Sequence, residues 1–140
     1  MFTLDPRLEK ESLLIGEFEL SRVLLMNDAR YPWVILVPRV TGLTEVFDLT
    51  IEQQQQLMIE SNGVASRLNT LVQADKMNVA ALGNVVSQLH VHHVARFIQD
   101  DSWPAPVWGK GESIPYSKQE SDAVIEQLKS VFKDLFDNGI

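Results

Sequence analysis

The chain is expected to fold as α+β, with an antiparallel sheet of about five strands and two main helices. Three observations lead there. Glu17–Met26, Trp33–Pro38, Lys76–Leu82 and Gln88–Phe97 have the length and apolar pattern of strands. Two longer stretches, after Thr50 and after Ser117, carry apolar residues at helical spacing. The first two strand runs are joined by a short turn while the helices stand apart, a layout that suits hairpin pairing better than alternating β–α–β units.

Each element has its own signal. Asp5 followed by Pro6 offers a cap and a first helical position, so Asp5–Ser12 reads as a short helix. Glu17–Met26 (EFELSRVLLM) alternates and then becomes continuously apolar, as in a strand exposed at its start and buried at its end. Asn27–Pro32 (NDARYP) is rich in turn formers, and WVILVP after it reads as a buried strand, making a hairpin. Asp48-Leu49-Thr50-Ile51-Glu52 opens a long helix capped by Thr50, with Leu57, Val64, Leu68, Leu71 and Val72 turned to the sheet. Lys76–Leu82 is the third core strand and Gln88–Phe97 the fourth. Ser117–Asn138 mixes charge with Val124, Leu128, Val131, Phe132 and Leu135, a second amphipathic helix ended by Gly139. Without repeats, low-complexity tracts or long linkers, residues 1–140 are expected to form one domain.

Composition narrows the function. A length of 140 residues and a hydrophobic fraction of 45% suit one sizeable core. No apolar run approaches the about 18 residues that would span a membrane, and MFTLDPRLEKE lacks the apolar centre of a secretory signal. The absence of cysteine excludes disulfide scaffolds, thiolate zinc sites and thiol nucleophiles, and the cytoplasm is the expected location. A net charge of -7 argues against nucleic acid as a partner. It leaves room for a small anionic ligand, since a site answers to its nearest groups; Arg22, Arg30, Arg39 and Arg96 lie close in sequence to the segments of interest.

The informative stretch is Gly83–Phe97, GNVVSQLHVHHVARF, which holds all 3 histidines of the chain. On a strand, Gln88, His90 and His92 project from one face, and Leu89, Val91 and His93 from the other. His90 and His92 then stand about 7 Å apart along one face, with His93 outside the pair. A wet sheet face is the bland alternative, but such faces favour Thr, Lys, Glu and Arg, and this row has none. Paired imidazoles are what acid–base or nucleophilic chemistry uses near neutral pH. A metal is a weaker competitor: H-x-H supplies two ligands where zinc takes three or four, His93 faces away, and Asp100 or Asp101 would have to return. Neither a resident metal nor another cofactor is expected.

GNVVSQLHVHHVAR resembles the signature of the histidine triad (HIT) superfamily of nucleotide hydrolases and transferases, Gly-Gln-Ser/Thr-Val-x-His-x-His-x-His followed by apolar residues. Gly83 and Val86 match; Asn84 and Val85 stand at the Gln and Ser/Thr positions; Ser87 takes the variable place. Gln88 replaces the first triad histidine, His90 is the middle one, His92 the last, and His93 occupies a normally apolar position. The resemblance extends from about Phe18 to Phe97, about two-thirds of the chain by element order. Trp103–Gly109 (WPAPVWG) is similar to a feature of a bacterial branch.

The resemblance implies a HIT-like sheet and a nucleoside phosphate derivative as substrate: a dinucleoside polyphosphate, a phosphoramidate or an adenylylated small molecule. By the same resemblance His90 is the nucleophile that forms a nucleotidyl-histidine intermediate. His92 assists at the phosphate, with Asn84, Ser87, Gln88 and Arg96 as phosphate contacts and Asn27 at the ribose. Leu25 and Ile35 would line a base slot, and Trp33, Trp103 and Trp108 are core or interface aromatics. The departures at Gln88 and Val85 favour an alternative, a nucleotide-binding module with little or no turnover. A homodimer is expected, with its interface around the last helix and the Trp103 loop.

Overall fold

Five antiparallel strands form a single sheet in the order β1-β2-β3-β5-β4, in a computed structural model that describes residues 1–136. The strands are β1 (Ser12–Glu17), β2 (Ser21–Met26), β3 (Trp33–Pro38), β4 (Lys76–Ala80) and β5 (Val91–Arg96). The helices are α1 (Pro6–Glu11), α2 (Ile51–Val72) and α3 (Lys118–Val131). The α+β class and the antiparallel sheet are as the sequence predicts.

Caps start the helices where the sequence places them. The Asp5 side chain accepts from the Arg7 N–H, with Pro6 opening α1. Thr50 and Gln53 form a reciprocal capping box at the head of α2, and Ser117 and Glu120 form another at the head of α3. The second helix is shorter than its periodicity suggests: α3 ends at Val131 and a 3-10 turn, Lys133–Leu135, follows. The expected end at Asn138 and Gly139 lies outside the described residues.

The strands need three corrections. The run Glu17–Met26 is not one strand: the chain reverses at Phe18–Leu20, and the unforeseen β1 pairs with β2 across a bulge between Leu14 and Gly16. A side chain at Gly16 would come within 2.6 Å of the Phe136 ring, so only glycine allows that approach. Lys76–Leu82 is not a core strand; β4 stops at Ala80 and lies at the sheet edge with Lys76 and Val79 exposed. Gln88–His90 precede the ladder, which begins at Val91.

Register decides which side chains share a face, because directly opposed residues point the same way. Leu24 opposes Ile35, and Ile35 opposes His92. These residues lie on the face covered by α1 and the Trp108 segment, through Leu4, Leu8, Tyr31, Trp33, Val94 and Val107. Leu25 opposes Val34, and Val34 opposes His93. That other face packs on α2 and α3 through Val64, Leu68, Leu128 and Phe132.

Candidate active site

His90, just before β5, lies beside His92, and the alternation of β5 turns His93 to the opposite face, as the spacing predicts. His90 and His92 have ring centroids 4.8 Å apart, edge to face. His93 is turned to α2, wholly buried, where its Nε2 meets Ser61 Oγ at 2.7 Å and its Nδ1 meets the Val34 carbonyl at 3.2 Å. A carbonyl only accepts, so Nδ1 carries the His93 proton and the Ser61 hydroxyl donates to Nε2. Burial pushes the His93 pKa down to about 4 and keeps the ring neutral. It is a satisfied core residue, and the geometry denies His90 and His92 a third ligand from it. Among the described residues no three His, Cys, Asp or Glu side chains are grouped to hold a metal.

His90 precedes the ladder and is held by the main chain of its own segment. Its Nδ1 lies 2.7 Å from the Gln88 carbonyl oxygen, so Nδ1–H donates and Nε2 keeps its lone pair. Gly83, with a φ of 73°, makes the left-handed turn that leads from β4 into this segment. His90 and Ser87 line a cleft of about 240 Å³ with Thr44–Phe47 and Ala81–Gly83. His90 is 7% exposed.

His92 lies deeper, 4% exposed, inside an aromatic box. Its ring meets Trp108 at 5.1 Å and Trp33 at 5.7 Å, both edge-on. The Trp33 indole N–H donates to His92 Nδ1 at 3.0 Å. Burial, followed by the neighbouring His90 and His93, lowers its pKa to about 3.

The other expected site residues scatter. Ser87 and Asn84 are exposed at the turn before His90, and Ser87 reaches the cleft. Val85 is 76% exposed and offers no hydroxyl. The Gln88 side chain does not buttress an imidazole. Its Oε1 accepts from Asp5 N at 2.8 Å and its Nε2 donates to the Thr3 carbonyl at 2.9 Å, which ties down the N-terminal arm. Asn27 lines a separate cleft of about 390 Å³ that also includes Trp33 and Trp108, and its Oδ1 accepts from Tyr116 N at 2.9 Å.

Arg96 is not brought to the histidines. It is 1% exposed, donates to both Asp100 oxygens at 2.8 and 3.0 Å and to Asn78 Oδ1 at 2.9 Å, and lies over the rings of Tyr31 and Trp103. That guanidinium holds the Asp100 carboxyl far below the usual range. The internal pair spends the charge that a phosphate would need. Leu25 and Ile35 are likewise buried on opposite faces and line no slot beside His90. The two residues that sequence reasoning undervalued are Trp33 and Trp108. Trp33 is set diagonally beside His92 by the register of β3 against β5, which no local sequence signal carries.

A five-stranded antiparallel sheet presenting paired imidazoles from its fourth strand in spatial order defines a histidine triad fold and site. The chain belongs to the HIT domain family, which it matches over residues 7–99. A histidine triad protein from Marinobacter aquaeolei is 47% identical, with a TM-score of 0.95 over 96% of this chain and 98% of that one. One from Sinorhizobium meliloti is 45% identical, with a TM-score of 0.91 over 93% of this chain and 96% of that one. A diadenosine triphosphate hydrolase from Plasmodium falciparum shares the fold at 17% identity, with a TM-score of 0.66 over 98% of this chain and 84% of that one. No curated protein matches the chain.

Proposed function

We propose that the protein is a nucleotide hydrolase or nucleotidyl transferase working through a nucleotidyl-His90 intermediate. The observation that carries this reading is the 2.7 Å bond from His90 Nδ1–H to the Gln88 carbonyl, which leaves Nε2 as a lone-pair nucleophile on a ring lining a cleft. Nε2 attacks the α-phosphorus of a nucleoside phosphate derivative. A P–N bond forms as the bond to the leaving group breaks, and the leaving group departs with the electron pair and takes a proton from water. Water then attacks phosphorus, the P–N electrons return to Nε2, and a mononucleotide leaves; another acceptor in place of water makes the reaction a transfer. Two successive displacements avoid direct attack by water on the intact substrate.

His92 contributes a hydrogen bond to a non-bridging oxygen, and Ser87 and Asn84 add neutral donors at the same turn. Gln88, at the place of the first triad histidine, contributes its main-chain carbonyl to His90 and its side chain to the arm. Asn27 marks the ribose end of the substrate, in the cleft flanked by Trp33 and Trp108. Arg96 supports this site only through the fold.

The second reading, a nucleotide-binding module with little or no turnover, is favoured by one observation: among the described residues no Lys or Arg lines the cleft beside His90, where Glu45 does. One experiment separates the two. The protein is incubated with an α-labelled dinucleoside polyphosphate or adenosine phosphoramidate and quenched in alkali. Labelled protein and mononucleotide, both lost in His90→Ala, support the enzyme. Binding without either product supports the module.

We further infer a homodimer acting in the cytoplasm as a single-domain chain. Exposed apolar side chains include Phe47, Ile51, Met58, Ile59, Val79 and Leu82, on the segment before α2, on α2, and on and just after the edge strand β4. That surface, rather than the last helix and Trp103 loop, is the better interface. A solution mass near one chain would overturn the dimer. Among the described residues, no helix is long and apolar enough to cross a membrane.

A further inference from the structure

Among the described residues His92 has a partner on only one of its ring nitrogens, and that partner determines the chemistry of the other. Trp33 opposes Val94 and Ile35 opposes His92, so the indole sits one pair along the same face and reaches His92 diagonally. Its N–H lies 3.0 Å from Nδ1, with both side chains buried. An indole nitrogen donates and never accepts. Nδ1 is therefore the acceptor, and in the neutral ring the proton resides on Nε2.

The indole has little freedom to do otherwise. Tyr31 packs edge-on against it at 6.3 Å and Trp108 at 5.8 Å, while Trp108 also closes over His92. A protonated His92 would set an N–H against an N–H inside this box.

We propose that Trp33 is a positioning residue: it holds His92 in the neutral Nε2–H tautomer, a standing hydrogen-bond donor to the phosphoryl group that His90 attacks. This rests on the nucleotidyl-transfer reading above and deepens it. Burial, with His90 and His93 as the titratable neighbours, works in the same direction on the His92 proton. Trp33 and Trp108 against its ring, and Ile35 and Ala80 opposite it on the flanking strands, do not titrate. It follows that His92 supplies no proton to the leaving group, because a neutral imidazole donor keeps its hydrogen at ordinary pH. Its donation persists across the pH range in which an exposed histidine would charge, near 6.5.

The test uses the full chain, wild type and Trp33→Phe, which keeps an aromatic ring and removes the N–H. Two-bond proton–nitrogen NMR of the imidazoles is expected to show wild-type His92 as the Nε2–H tautomer with no titration between about pH 5 and 8. In Trp33→Phe the Nδ1–H tautomer should appear and the ring should begin to titrate. Single-turnover labelling of His90 should slow about tenfold, with half-saturation little changed and a new pH dependence. A wild-type His92 that carries its proton on Nδ1, or that titrates near 6.5, overturns the proposal, whether or not the variant folds. So does a folded variant with unaltered tautomer and rate. If the tautomer is as expected but no substrate labels His90, the nucleotidyl reading fails and the hydrogen-bond assignment stands.

Discussion

His90, His92 and His93 commit Nδ1 to three different partners: the Gln88 carbonyl, the Trp33 indole N–H and the Val34 carbonyl. The first bond leaves a nucleophile, the second a donor, and the third a packed core residue. Ser61→Ala would strand His93 Nε2 in a dry environment and should cost about 1–3 kcal/mol in urea unfolding, with His90 labelling intact in the folded fraction. His93→Ala adds a cavity and should cost more, again without abolishing labelling. His92→Ala should slow turnover but leave the covalent intermediate detectable after an alkaline quench. A folded His93→Ala as inert as His90→Ala would contradict the division of faces. The opposition of His92 and His93 was legible in the sequence, since side chains alternate along a strand; His90 lies just before β5, and the fold places its ring beside His92. The Trp33 bond was not legible, because it depends on how β3 registers against β5.

At the scale of elements, the sequence shows most clearly what is encoded locally. The caps at Asp5, Thr50 and Ser117 and the hairpin turn at Asn27–Pro32 can each be read from a few adjacent residues. The reversal that separates β1 from β2 cannot. Phe18–Leu20 contains no glycine, proline or asparagine, and the turn is held from afar. Glu60 on α2 accepts from Leu20 N at 2.8 Å and Ser21 N at 3.1 Å. Arg39 donates to the carbonyls of Phe18 at 2.6 Å and Glu19 at 2.8 Å. The N-terminal arm is a second case, anchored by the Gln88 amide 83 residues away in sequence from Asp5. Gln88→Leu removes both of those bonds while keeping the bulk and the main-chain carbonyl that orients His90. Amide exchange at Asp5 should accelerate, and stability should fall by about 1–2 kcal/mol. The His90 tautomer should not change. An arm whose exchange is unaltered would show that Leu4 and Leu8 hold it without help.

Over the whole molecule, burial of His92 and His93 links folding to pH. Their folded pKa values, lowered to about 3 and about 4 from an ordinary 6.5, mean that the unfolded chain binds protons which the folded chain refuses. Their contribution to stability is therefore complete above about pH 6.5 and declines as pH falls toward 4, by up to about 1.4 kcal/mol per pH unit for each ring. Asp100 works in a separate window. Its carboxyl, lowered by the Arg96 hydrogen bonds against the opposing effect of burial, contributes stability that is present above its ordinary 3.8 and lost below it. Acid unfolding should accordingly steepen in two stages, histidines first and the Arg96–Asp100 pair afterwards. Urea titrations at fixed protein concentration should give a constant unfolding free energy from about pH 7 to 8 and a marked fall between about 6.5 and 4.5. Replacing His92 by Asn should remove about one proton from the uptake on unfolding in that interval. A wild-type profile flat across it would mean that both rings exchange protons freely in the folded state, and the aromatic box around His92 would then be open to solvent.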